Sequence, residues 1–240
     1  MPLPTLVRSG RANATFIEVD VTGGRTLFVN RNQASTSLTS NNAGVTLLVA
    51  DTLAPRRQSI WRVAEGTTGT VRITGSSMAL WGWSLIDWPA QEGAAEHMGN
   101  ANTTADMGSI NLTISAPAQV AAYWNANNSA NWAVPPTGWT SLETITTQNA
   151  EPSWTLQCSD TDMAAGVFAT PTMSRGKEGT ARIEGISAAS LIEPVAGSSG
   201  RPKTYLAGAW TAKPGKVWTG VAWVEKPWKT WTGTQWEKVT

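Results

Sequence analysis

Through the first 193 residues, apolar positions tend to alternate with polar ones, and they do not recur at the three-and-four spacing of an amphipathic helix. That alternation predicts strands. Residues 14–21 (A-T-F-I-E-V-D-V) set Glu18 and Asp20 outward, Thr22-Gly23-Gly24 turns, and 26–29 returns. Residues 44–50 (G-V-T-L-L-V-A) form a short apolar run suited to a buried strand, and further strands follow at 59–64, 70–74 and 78–87. The last of these carries Trp81 and Trp83 on one face. Between Trp88 and Asp106 the pattern lapses, which predicts a small-residue loop holding the single histidine, His97, beside Glu96. Strands resume at 109–115 and 118–124. After the proline-glycine turn Pro135-Pro136-Thr137-Gly138 they continue at 140–147, 153–159, 164–169, 179–186 and 188–192, with a helical turn as an alternative over 160–165. The fold expected is all-β: a jelly-roll-like two-sheet β-sandwich followed by a small C-terminal Trp-rich β-hairpin repeat region.

The organisation expected is residues 1–40 as an N-terminal docking segment or first strands, 41–193 as the sandwich, 194–203 as a linker and 204–240 as repeats. The linker is Gly-, Ser- and Pro-rich, P-V-A-G-S-S-G-R-P. The closing stretch repeats every 13 residues and holds six of the 14 tryptophans. Trp218 recurs as Trp231 and, backwards, as Tyr205; Trp223 recurs as Trp236 and Trp210; Lys213-Pro214 recurs as Lys226-Pro227. Thirteen residues suffice for two short strands and a two-residue turn, so each unit reads as a hairpin. Gly220-Val221 and Gly233-Thr234 place glycine first in the loop, as a type II′ turn requires. That register sets Thr219 opposite Ala222, Trp218 opposite Trp223, Thr232 opposite Gln235 and Trp231 opposite Trp236. The first unit, with Ala207-Gly208 at the turn and Tyr205 opposite Trp210, reads as a degenerate cap. The six aromatics are either the core of a small meander or a face open to a sugar or a partner.

Charge separates the two regions. From Arg201 onward there are seven basic and two acidic residues, against 11 and 15 before, while the whole chain carries a formal charge of only +1. Nothing in that balance draws the chain to nucleic acid or to an anionic membrane. No apolar run reaches the roughly 18 residues needed to span a bilayer. The start, M-P-L-P-T, lacks the charged and apolar regions of a signal peptide, so a soluble protein that is not exported by the usual route is expected. One cysteine, Cys158, allows no intrachain disulfide and reads as buried and inert.

No catalytic constellation stands out. A single histidine leaves no multi-histidine metal site, and a Ser-His-Asp triad would have to use His97 without a G-x-S-x-G elbow. Pairing Cys158 with His97 lacks supporting residues. Ser159-Asp160-Thr161-Asp162 offers two carboxylates, better suited to capping a turn than to holding calcium. A glycosidase-type carboxylate pair would have to be chosen from 17 acidic residues without guidance. The expectation is no enzyme, no cofactor and no metal.

Several segments resemble a known family. Ser59-Ile60-Trp61-Arg62-Val63-Ala64-Glu65-Gly66, Val71-Arg72-Ile73-Thr74-Gly75-Ser76-Ser77, Val120-Ala121-Ala122-Tyr123-Trp124, Pro135-Pro136-Thr137-Gly138-Trp139 and Gly179-Thr180-Ala181-Arg182-Ile183 are similar to the β-sandwich of minor tail and fibre-like proteins from phages of actinobacteria. The likeness spans roughly residues 45–193, and the Trp-rich close is similar to repeats that end such proteins. It implies a virion component made in the host cytoplasm and displayed on the tail or capsid surface. It implies other virion proteins as partners, self-association into a homo-oligomer such as a trimer, and contact with host cell-wall glycan. Tyr205, Trp210, Trp218, Trp223, Trp231 and Trp236 are the candidate ligand- or partner-binding residues. A capsid decoration or head-fibre protein and a carbohydrate-binding module are the alternatives, and a hydrolase with an unrecognised carboxylate pair is a third.

Overall fold

The computed structural model describes residues 2–35, 37–51, 56–100, 106–127, 134–146, 152–174 and 183–193, with six short strands between residues 203 and 238. The chain forms two compact units, Met1–Pro194 and Val195–Thr240. The first contains β1 (Leu6–Asp20), β2 (Thr26–Ser35), β3 (Leu38–Ser40), β4 (Val45–Ala50), β5 (Arg56–Val63), β6 (Thr70–Ile86), β7 (Ala90–Asn100) and β8 (Asp106–Met107). It continues with β9 (Asn111–Ile114), β10 (Gln119–Asn127), β11 (Trp139–Ile145), β12 (Pro152–Ser159), β13 (Gly166–Ala169), β14 (Met173–Ser174) and β15 (Ile183–Leu191). No described residue is helical.

Two antiparallel sheets make a β-sandwich. One runs β1-β6-β2-β5-β4, with β3 added to β6; the other runs β11-β12-β10-β15-β7. Both are buried on both faces, which explains why their central strands are nearly continuous in buried residues. In β2, Phe28 faces a core shared between the sheets, while Leu27 and Val29 face a separate core on the far side. In β10, Tyr123 faces the shared core, while Val120, Ala122 and Trp124 face a third. The first outer core is enclosed by the first sheet itself: β6 pairs with β3 along its first half and with β2 along its second, and β1 follows it throughout. The other outer core is covered by the ribbons β9-β13 and β8-β14, which supply Leu112, Ile114, Met107 and Met173.

The two sheets are built on one plan. Read in the order β7-β15-β10-β12-β11, the second sheet repeats the first, β1-β6-β2-β5-β4, strand for strand. The registers agree: Asn30 sits between Gly82 and Gln58, and Asn125 sits between Gly185 and Trp154. The equivalent edge strands β4 and β11 carry a bulge at the same place, with Leu48 extra in β4 and Leu142 extra in β11. The entry turns are held by the same bonds. Val45 N donates to Asn42 O at 3.0 Å and Ala64 N to Gly44 O at 2.8 Å; Trp139 N donates to Pro136 O at 3.0 Å and Asp160 N to Gly138 O at 2.8 Å. Residual sequence similarity follows this alignment: Phe28-x-Asn30 against Tyr123-x-Asn125, Gly82-x-Ser84 against Gly185-x-Ser187, and Gly44-x-Thr46-x-Leu48 against Gly138-x-Thr140-x-Leu142.

The repeats face each other as partners in a twofold pair do, with the central packing contacts recurring in exchanged roles. A Cβ on Gly82 would lie 2.8 Å from Trp154 of the opposite sheet, and one on Gly185 would lie 2.3 Å from Gln58, the residue equivalent to Trp154. At the centre, Phe28 stacks on its own equivalent, Tyr123, with ring centroids 5.8 Å apart and an angle of 20° between planes.

The expected loop between Trp88 and Asp106 is instead largely strand: β7 pairs with β15 along its length, and His97 lies opposite Gly185. Its run of Ala, Gly and Glu has little intrinsic strand preference, but it is the sheet's edge and its small residues fit under neighbours. A Cβ on Gly93 would meet Val49 at 2.8 Å and Leu48 at 3.3 Å. The expected strands at 70–74 and 78–87 are one bent strand, because Gly75 to Met78 form a bulge opposite β1 between the pairs Phe16–Thr74 and Ala14–Ala79. Residues 160–165 make no helical turn; Met163 exchanges two main-chain hydrogen bonds with Ala118 instead. The strands expected at 179–186 and 188–192 join as β15, with residues 179–182 outside those described.

Because backbone at Gly82 and Gly185 lies against side chains of the facing sheet, Gly82→Ala and Gly185→Ala should each destabilise the first unit by about 1 to 3 kcal/mol. Thermal unfolding of both variants checks this, and melting curves that superimpose on the parent would show that the facing sheets do not pack this closely.

Candidate functional site

The second unit consists of three separate two-stranded sheets: β16 (Lys203–Leu206) with β17 (Ala209–Ala212), β18 (Gly215–Trp218) with β19 (Trp223–Lys226), and β20 (Lys229–Trp231) with β21 (Trp236–Lys238). The registers place Tyr205 opposite Trp210, Trp218 opposite Trp223 and Trp231 opposite Trp236. All six candidate aromatics are thus gathered as three cross-strand pairs. The turns and the pairs Thr219–Ala222 and Thr232–Gln235 fall outside the described residues. Alternation along a strand puts Lys203, Lys216 and Lys229, each two residues before the first aromatic, on the same face as their pair. Lys238 joins Lys229 on that face, and Glu225 joins Lys216. Each 13-residue unit therefore presents two aromatic positions and at least one ammonium position on one side of a hairpin.

A second polar assembly was not legible in the sequence. On the first sheet Asn30 and Ser84, and on the second Tyr123, Glu143 and Trp154, meet within the sandwich. Asn30 Nδ2 donates to the Tyr123 hydroxyl at 2.6 Å. Ser84 Oγ and Trp154 Nε1 both donate to Glu143 Oε2, the latter at 3.0 Å. The Tyr123 ring is wholly buried, and burial first, then the nearby Glu143 charge, hold its phenol well above its ordinary pKa of 10.0, against the opposing bonds from Asn30 and Ser84. The group is a fastening between sheets: Asn30 bonds across to Tyr123 and Ser84 across to Glu143. The signal that could have found it is the twofold recurrence of aromatic-x-Asn and Gly-x-Ser.

The remaining candidates do not converge. Cys158 is buried in the shared core, and burial, followed by the Asp160 charge, pushes its thiol up to about 12. Asp160 accepts a hydrogen bond from Thr140 Oγ1 at 2.7 Å and Ser159 Oγ donates to Thr161 O at 2.9 Å, so this stretch ties down its own turn. Among the described residues no three His, Cys, Asp or Glu side chains gather where they could hold a metal ion. No described helix is long and apolar enough to cross a membrane.

Comparison with protein-family models, curated proteins and solved structures finds no match.

Two measurements test this account. Native protein at pH 8 should leave Cys158 unreactive to an aromatic disulfide reagent, and denaturation should release one thiol per chain; rapid labelling of the folded protein would contradict the burial. Tyr123→Phe leaves the Asn30 amide without its acceptor, so unfolding should become easier by about 1 to 3 kcal/mol. Since the folded phenol is the weaker acid, its contribution is present below pH 10 and is lost as pH rises further, because the unfolded chain ionises first. Above that pH the gap between parent and Tyr123→Phe should narrow in denaturant titrations.

Proposed function

We propose that the chain is a structural component of a phage particle, a minor tail protein whose C-terminal hairpins contact the host envelope. One observation carries the reading toward attachment: a register that repeats three times and sets an aromatic pair across each hairpin, with a lysine on the same face. Flat aromatic faces suit sugar rings, and an ammonium group alongside suits the phosphate or carboxylate groups of an anionic wall glycan. Repetition adds avidity, since one bound unit raises the effective concentration of ligand at the next. The excess of basic over acidic residues beyond Arg201 acts in the same direction. The resemblance to minor tail and fibre-like proteins supports the virion assignment, and the first unit, with its three cores and the polar fastening between its sheets, suits a rigid body.

A two-stranded hairpin is marginal alone in water. The same aromatics therefore serve as packing if hairpins from sister chains stack, which is how a homo-oligomer on the tail or on the capsid would form.

Immuno-electron microscopy of particles, with an antibody against residues 201–240, tests the placement. Label at the tail tip is the expected result; label spread over the head would make this a decoration or head-fibre protein. For the contact itself, Trp218→Ala and Trp231→Ala should leave the thermal unfolding of the first unit unchanged and weaken binding to host cell walls, with added salt weakening the parent too. Unchanged wall binding with loss of self-association would assign the pairs to packing.

A further inference from the structure

The near-symmetry of the first unit is broken on one side of the shared core, and the break leaves polar groups without partners. Around one side of the shared core, Ser84 and Trp154 converge on the carboxylate of Glu143. Their equivalents on the other side are Ser187, Gln58 and Val49. The registers fix this assignment. Ser84 lies opposite Phe28 and Ser187 opposite Tyr123; Trp154 lies opposite Asn125 and Gln58 opposite Asn30; Glu143 and Val49 each follow the edge-strand bulge and face Leu156 and Ile60. Where one side has an acceptor, the other has a valine.

Consequently Gln58 Nε2, Gln58 Oε1 and Ser187 Oγ are all buried with no hydrogen-bond partner within the protein. Both residues are 0% exposed. They are also neighbours. The Gln58 amide lies flat on Gly185, two residues from Ser187 on the same face of β15, and a Cβ there would come within 2.3 Å of Nε2. Beside them, Asn30 and Tyr123, which flank Gln58 and Ser187 in their respective sheets, are bonded to each other, and neither bonds to Gln58 or Ser187. An amide with neither end bonded is among the more costly things to bury, and packing this tight would not retain one without compensation.

We propose that a water molecule is a permanent part of this site, standing where Glu143 Oε2 stands in the other half and bridging Gln58 to Ser187. The chemistry fits water better than an ion. Two donors and two acceptors are required in a neutral setting: the Gln58 amide offers Nε2–H and Oε1, and the Ser187 hydroxyl turns to give or accept. No charged side chain is among these three groups. Buried waters characteristically make about three hydrogen bonds to groups of this kind. A water at this point makes the valine in the first half and the glutamate in the second two solutions to one problem, a polar atom needed between a serine and the residue facing the central glycine.

The test is a crystal structure of the full chain at a resolution where ordered water is seen. The expected density is a single atom within hydrogen-bond distance of both Gln58 and Ser187 Oγ; a direct Gln58–Ser187 bond with no density between them overturns the proposal. A double-mutant cycle gives an independent reading in solution. Gln58→Leu and Ser187→Ala should each lower Tm by about 2 to 4 °C. Together they should lower it by clearly less than the sum, because the second change removes a water already deprived of a partner. Additive losses would mean that the two side chains share nothing.

Discussion

The structure depends on the layer where the two halves of the first unit meet. Phe28 and Tyr123 stack there, and on either side a glycine in one sheet receives a side chain from the other, Trp154 over Gly82 and Gln58 over Gly185. Each half has an outer core made only from its own strands, but neither has a partner for its inner face without the other. The sequence must therefore satisfy two geometries at once: an alternation that fills both faces of every central strand, and a set of small residues that lets the inner faces approach. The inner faces carry glycine at two central positions for this reason, each under a large side chain of the other sheet.

Polar groups within that layer set how the sheets align. A purely apolar layer of this size would tolerate sliding, because burial is indifferent to direction. The bonds from Asn30 to Tyr123 and from Ser84 to Glu143 tolerate no such shift, since each requires heavy atoms within about 3 Å. Arg31 shows the same logic in the outer core of the first half. Its guanidinium lies 4.3 Å from the Trp81 ring and donates to Ser77 O at 2.6 Å, and the absence of a side chain at Gly75 makes room for it.

Much of this was legible in the chain. Alternation located most strands, the proline-glycine turn before Trp139 is where Gly138 takes a φ of 83°, and glycine placement in the 13-residue repeat gave the pairing of Trp218 with Trp223 and of Trp231 with Trp236. Three things were not. The strand Ala90–Asn100 has no apolar alternation because its small residues are matched to neighbours distant in sequence. The internal repeat is nearly invisible because equivalent positions meet different surroundings. Val49 and Glu143, or Gln58 and Trp154, share a place in the fold but not a chemistry, and the identities that persist are few and scattered, such as Gly82 with Gly185, Asn30 with Asn125 and Thr46 with Thr140. The polar fastening around Tyr123 was hidden for the same cause, since its members lie on five strands and have no common spacing.

Carrying both halves on one chain changes what such an interface can become. Two separate copies would associate only as far as their concentration allowed, and any substitution would appear on both sides of the axis at once. With a covalent connection the halves cannot part on dilution, and each position is free to vary without its twin. A tyrosine can face a phenylalanine, and a glutamate can serve one side while a valine serves the other. The fused pair thus keeps the economy of a symmetric assembly while admitting differences that a true dimer could not fix.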